Sequence, residues 1–493
     1  MTISFNNIPA NVRTPLFFAE FDSSKAGYFV QQNRTLLIGH KLAGASAVDN
    51  VPVLVSTTDQ ARAIFGVGSM LARMHEVYRG GDSFGEVWCV PIPAPAGAAA
   101  AGTIAYTGPA TAGGTVSLYI GAQRVQAAVA AGDTATAVAA AVAAAISADS
   151  TLPVTATAAT GTVTLTARHV GLLGNDIKVQ HNYRGVSGGE ALPAGVGATI
   201  TALSGGSGSP TLTTAFANMG DEEYDFIVHP FSDSATLDAF KALMNDTTGR
   251  WSWNRQIYGH VYGAQRGTFS ALQAVGVSRN DQHCTLEGME PGIPNTVWDF
   301  VAAHGARNAV FINVDPARPV QTGELVGILP APAVGRFIQT ERQTLLSSGI
   351  ATSYTASGTV RIERAITTYQ RNQWGQADPS YLDSETLHTL AYIMRKLRSR
   401  ITTKYPRHKL ADDGTRFGAG QAIVTPSVIR GELAAAYAEM EEAGITENSK
   451  AFNANLIVER NAEDPNRLDV LLPPDLVNQL RVFAVLGQFR LQY

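Results

Sequence analysis

Apolar positions along this chain switch repeatedly between a period of two and a period near 3.6, the pattern of strands alternating with helices. The run NRTLLIGH at 33–40 predicts a strand. Residues 57–81 predict two short helices, with apolar Ala61, Ile64, Met70, Leu71, Met74 and Val77, broken at Gly66 and Gly68 and capped by Thr57 or Thr58. EVWCVPI at 86–92 predicts another strand. After residue 210 the alternation resumes, with strands expected at 224–231 (YDFIVHPF), 255–263 (RQIYGHVYG) and 308–315 (NAVFINVD). Helices are expected in DSATLDAFKALMND, capped by Asp233 or Ser234, and in TFSALQAVGVSRN. Strands alternating with helices predict a mostly parallel sheet covered on both faces.

Two segments depart from that pattern. Residues 96–148 hold 22 alanines in 53 positions, and 96–205 hold only eight charged side chains. Strand-like GGTVSLYIGAQRVQAAV, a helix DTATAVAAAVAAAISA opened by Asp133 or Thr134, and strand-like GTVTLTARHVG predict a small α+β module there, ended by the linker LSGGSGSP at 203–210. The last unit combines a strand in GTVRIERAITTYQ (358–370), helices at 383–405 and 425–444, and strand candidates FNANLIVERN, RLDVLLPP and RVFAVLGQFRLQY. At the other end, Pro9 and Pro15 hold residues 1–30 extended around the apolar LFFAEF. The expected class is α/β and α+β multidomain. A central α/β domain spans 31–95 and 206–357, interrupted by a β-rich module rich in Ala, Gly and Thr at 96–205. A C-terminal α+β domain covers 358–480, with extended arms at 1–30 and 481–493.

Composition narrows the function classes. Charged residues make up 16% and net charge is −4, which gives no basic excess for nucleic acid. Cys89 and Cys284 lie far apart, with no CxxC and no Cys/His metal spacing, as expected in a reducing compartment. The first residues lack the features of a signal peptide, and AVAAAVAAAISA is too short to span a bilayer. A soluble chain made in a cytoplasm is expected.

Catalytic motifs are weak. His229, Asp233 and Ser234 lie close in IVHPFSDSATLD, but a triad is made by spatial convergence, and no GxSxG elbow occurs. GVGSML at 66–71 lacks the third glycine of a dinucleotide fingerprint, and no Gly-Lys-Ser/Thr is present. Asp412 and Asp413 beside Gly414 read as a polar turn rather than a calcium loop. No cofactor or metal is expected. The strongest electrostatic feature is basic: Arg395, Lys396, Arg398, Arg400, Lys404, Arg407 and Lys409, with no acid between Glu385 and Asp412. It reads either as a solvated helix face or as a surface for an acidic partner.

The segments FGEVWCVPIP, GTVSLYIGAQRVQ, LTARHVGLLGNDI, DPARPVQT, GTVRIERAITTYQ, DGTRFGAGQAIVTP and LIVERNAEDPNRLDVLLPPDLVNQLRVFAVLGQFRL resemble the tail sheath proteins of contractile-tailed phages, in their Mu-like branch. The resemblance runs through nearly the whole chain. It implies a structural protein with no enzymatic activity, a virion tail component assembled in the host bacterial cytoplasm. Such a protein forms stacked hexameric rings in a helical sheath around a tail tube protein. It also meets a baseplate and a tail terminator, with no direct contact to nucleic acid and no membrane insertion. A metastable extended sheath contracts on a baseplate trigger and drives the tube through the cell envelope.

The resemblance further implies that the termini add strands to neighbouring subunits, through Leu16, Phe17, Phe18 and Phe21 at one end and Val482, Phe483, Val485, Leu486, Phe489 and Leu491 at the other. The last 13 residues, extended, reach about 43 Å at ~3.3 Å per residue. The seven basic residues become tube-facing candidates, and the 96–205 module an outer layer. A non-contractile, self-assembling tail or surface-layer protein is the alternative; a hydrolase on the central domain is a third reading.

Overall fold

The computed structural model describes residues 33–491. Its centre is a six-stranded sheet in the order Cys284–Met289, His260–Arg266, Phe226–Val228, Arg34–His40, Glu86–Ile92, Val53–Leu54. All neighbours are parallel except the last pair. Parallel strands covered on both faces need continuous apolar runs, and Leu36, Leu37, Ile38, Phe226, Ile227 and Val228 supply them, all fully buried. Helices Thr58–Phe65 and Met70–Gly81 are separated where expected. Gly66 and Gly68 adopt φ of 92° and 80°, values other residues avoid, and Ser69 Oγ accepts from the Ala72 amide at 3.1 Å to start the second helix.

One strand expectation is overturned. NAVFINVD at 308–315 is the end of an 18-residue helix, Val297–Val314, opened by Thr296, whose hydroxyl accepts from the Asp299 amide at 3.3 Å. The helix is buried around most of its circumference, so its sequence carries no amphipathic period, and an apolar helical turn then reads like a buried strand. Gly305 lets it approach the sheet: a Cβ there would lie 2.5 Å from Val228 Cγ2. The strand Cys284–Met289 was missed.

Among the described residues, strands between residues 99 and 204 pair only with one another. Gly197–Ser204, Ala99–Thr107, Thr162–Val170 and Val154–Ala159 form one antiparallel sheet, and Gln123–Val129, Gly114–Ile120 and Val179–His181 another, with helix Ala135–Ala148 packed between strands. Thr201, Thr103, Thr164 and Thr157 stand in one cross-strand rank. The module has no core of its own: its buried side chains are continuous with those of the central domain.

A second core lies in the C-terminal part, around Ile393, Leu397, Ile429, Leu433 and the stacked pair Tyr437 and Phe452, centroids 3.7 Å apart. Its helices are Ser384–Lys404, Pro426–Glu442 and Ser449–Asn455, with a hairpin of Ile457–Arg460 and Leu468–Leu471. Thr359–Arg364, placed above in this unit, instead pairs with Thr352–Ala356, and its Val360 and Ile362 join the first core. FNANLIVERN begins as helix and becomes strand only at Ile457.

Candidate assembly interface

From Leu472 the chain runs as a belt over its own domain. Asp475 is held by Tyr437, whose hydroxyl accepts from the Asp475 amide at 3.0 Å, and by Asn448 Nδ2, which donates to Asp475 Oδ2 at 2.6 Å. Gln479 Nε2 then donates to the Ala317 carbonyl at 2.9 Å. Arg481 ends the belt: its Nη2 donates to Glu385 Oε1 at 2.8 Å and Asp383 Oδ1 at 3.2 Å. Arg364 grips the same Asp383 with two hydrogen bonds of 2.8 Å. Glu385 is fully buried; burial pushes its carboxyl upward and Arg481 counters that.

Beyond Arg481 the character changes at once. Val482, Phe483, Val485, Leu486, Phe489 and Leu491 are 73–90% exposed, and residues 482–491 form no strand. The closing strand expected from the sequence has no partner within the described chain. Its period-two alternation still places Phe483, Val485, Phe489 and Leu491 on one face of an extended chain. Leu16, Phe17, Phe18 and Phe21 lie outside the described residues.

The basic run does not form one free patch. Arg395 is buried, with Nη1 2.5 Å from Asp225 Oδ1 and Nη2 3.0 Å from Glu223 Oε2. Lys396 lies 3.6 Å from Glu439, and Arg398 donates to Gln256 Oε1 at 2.7 Å. Arg400 pairs with Glu432 at 2.8 Å and Glu439 at 2.6 Å, and Lys404 with Glu432 at 2.9 Å. Burial raises the Glu432 carboxyl, but hydrogen bonds from Lys404 and Arg400 outweigh it and hold the group down to about 2. These acids sit on Pro426–Glu442 and beside strand Phe226–Val228, distant in sequence, so the run looked unneutralised. Only Arg407 and Lys409 of the seven are exposed without an ion pair among the described residues.

The catalytic candidates separate. His229 is buried and stacked on Phe240 at 4.0 Å, its imidazole pushed down to about 3 by desolvation. Asp233 caps its helix by accepting from the Thr236 amide at 3.1 Å, and Ser234 Oγ faces Asp238 at 3.4 Å. The switch point of the parallel sheet lies between Arg34–His40 and Phe226–Val228, where α/β folds usually bind ligands. Here a cleft of about 210 Å³ is roofed by the 96–205 module, with His169 stacked on His40 at 5.9 Å and accepting from the Met70 amide at 2.8 Å. Asp413 accepts from Ser427, Asp412 pairs with Arg460 at 3.1 Å, and no group of potential metal ligands occurs among the described residues.

Sequence reasoning missed Arg481, Asp383, Glu385 and Asp225 as partners in internal ion pairs. The available signal was a single cation at the head of an apolar run, together with two acids opening a long helix.

The central and C-terminal domain models of phage tail sheath proteins match residues 205–368 and 376–490. The Mu-like prophage FluMu tail sheath protein of Haemophilus influenzae is 42% identical over 493 residues, covering 99% of this chain and 100% of that protein. Among solved structures, a sheath tail protein of Desulfitobacterium hafniense superposes with a TM-score of 0.50 at 12% identity, over 94% of this chain and 97% of that one. A sheath tail protein of Listeria innocua gives 0.48 at 13%, over 92% and 94%. The Desulfitobacterium hafniense likeness speaks to fold alone; the full-length prophage relative and the two domain models carry the assignment. The chain with the exposed apolar end is a phage tail sheath protein of the Mu-like branch, a structural protein and not an enzyme.

Proposed function

We propose that this chain polymerises as a helical sheath of stacked hexameric rings around a tail tube, and that residues 482–491 tie one copy to the next by strand addition. The observation that carries the reading is the row of six large apolar side chains beyond Arg481, exposed together on a segment that forms no strand. Unpaired, apolar extended segments are templates for intermolecular pairing. The hairpin Ile457–Arg460/Leu468–Leu471 is a suitable acceptor: it has two strands only, and Ile457, Val470 and Leu471 are exposed on it. Isolated hairpins are marginal, and a third strand stabilises them. Head-to-tail contacts that do not close generate helices.

In this reading the assembled sheath is metastable when extended, and contraction moves each copy as a rigid body while the arms keep them connected. The tube is driven through the host envelope without nucleotide hydrolysis. Baseplate and tail terminator are the further partners, and the virion tail, built in the host cytoplasm, is the site of action. Of the basic set, Arg407 and Lys409 are the tube-facing residues, since no ion pair neutralises their charge among the described residues; weak exposed pairs position a tube and still release it.

Electron microscopy of the intact protein and of a variant lacking 482–493 tests the proposal. Hollow helical tubes from the intact chain, and dispersed particles from the truncation, are expected. Tubes from both would return the final segment to its own subunit.

A further inference from the structure

We infer that the helix Ser384–Lys404 is a strut that carries tension from the closing arm into the central sheet, with Arg481 and Arg395 as the bolts at its two loaded points. This rests on the reading of residues 482–491 as an intersubunit arm. Among the described residues Arg481 is the last of the arm root whose side chain is held internally, and the large apolar residues described after it are all exposed. Its guanidinium meets Asp383, the N-cap of the strut, and Glu385 in the first turn. Glu385 Oε1 also accepts from the Val320 amide at 2.9 Å, and Gln479 reaches Ala317, so the arm root, the 317–321 loop and the strut meet at one point.

That point joins the two cores, not the tip of the C-terminal domain. Ten residues along the helix, about 15 Å at ~1.5 Å per residue, Arg395 bonds Asp225 beside the first residue of strand Phe226–Val228. Farther on, Arg400 and Lys404 fasten the helix to Glu432 and Glu439 of Pro426–Glu442. A buried carboxylate whose cation is displaced is costly, so the arm cannot shift at its root without disturbing Glu385. A pull from a neighbouring copy therefore reaches the central sheet through charged hydrogen bonds rather than through a flexible linker. Arg481 and Arg395 are positioning residues for the assembled state.

Hydrogen exchange on full-length monomer and on assembled tubes tests the strut. In the wild type, amides of 317–321 and 383–388 are expected to gain about tenfold protection on assembly. Arg481→Gln, which keeps the arm, should still form tubes but lose that gain, and Arg481→Lys should restore part of it. Glu385→Gln, which keeps shape and a hydrogen-bond acceptor, serves if Arg481→Gln does not fold, and should also abolish the gain. A merely structural clamp would lower protection equally in monomer and tube, leaving the gain intact; that result overturns the strut. Tubes from a variant lacking 482–493 would overturn the arm reading instead.

Discussion

The Arg395 guanidinium lies 2.5 Å from Asp225 Oδ1, joining a helix of the C-terminal part to the start of an inner strand of the central sheet across 170 residues of sequence. Both side chains are below 10% exposed. Desolvation raises the Asp225 carboxyl and Arg395 opposes that rise.

Arg395→Ala should therefore destabilise the fold by about 3–5 kcal/mol, the range for removing one partner of a buried pair. Lys409→Ala, at an exposed site, should stay within about 0.5 kcal/mol of wild type. Denaturant midpoints at constant m-value measure the contrast. Equal effects would mean that the two residues share one exposed environment.

In the arm, Val485→Asp and Phe489→Asp should change monomer stability by less than about 0.5 kcal/mol, because neither side chain is packed. The same substitutions should suppress tube formation, scored by sedimentation and microscopy. Normal tubes from the double variant would argue against strand addition through this face.

Gly305→Ala opposes two effects of known size. Helix propensity favours alanine by about 0.8–1 kcal/mol. The new Cβ, however, would sit 2.5 Å from Val228 Cγ2, and overpacking costs about 1–3 kcal/mol. A net loss of stability is expected, with Val228→Ala partly rescuing the variant in a double-mutant cycle.

His169, His229, His304 and His388 are held down to about 3 by burial, against an ordinary 6.5. A lowered imidazole means that the unfolded chain binds more protons between about 3 and 6.5, so stability falls as pH drops below 6.5. Glu287, pushed well up by burial and 3.4 Å from His304, acts in the opposite sense, because its protonated folded form loses stability as pH rises above its ordinary 4.5. Both shifts favour the neutral forms, so the His304–Glu287 contact is not an ion pair. His229→Leu isolates one term. Between pH 6 and 4 its unfolding free energy should fall less steeply than wild type, by about 1.4 kcal/mol per pH unit. Parallel pH profiles would show that His229 titrates normally.

Trp253 and Trp374 are 81% and 75% exposed on loops that are nonetheless braced: Asn245 Oδ1 accepts from the Thr247, Thr248 and Gly249 amides, and Asn372 Oδ1 from those of Trp374 and Gln376. Acrylamide should quench these two in the isolated chain, and Trp253→Phe with Trp374→Phe should remove that fraction. Retained quenching in the double variant would place the accessible indole elsewhere.

By itself the sequence determined the local events. Thr57, Ser69, Asp233 and Thr425 start helices because a side-chain or Pro-linked cap acts within a few residues, and Gly66 and Gly68 separate two helices because only glycine adopts their backbone angles cheaply. The quoted segments that carry the family resemblance are also contiguous, so the family was legible before the fold was.

What the tertiary structure decided was every property that depends on a distant neighbour. Residues 308–314 became the last turns of a helix whose first ten residues are buried on every side, which erases the period that distinguishes helix from strand. Arg395, Arg400 and Lys404 became internal fastenings because Asp225, Glu432 and Glu439 approach from other elements. Residues 482–491 have no strand partner among the described residues, since period-two alternation specifies a strand's faces but not the edge it joins. Charge neutralisation and strand pairing are contacts through space, and a one-dimensional pattern records which residues are able to make them without recording which ones meet.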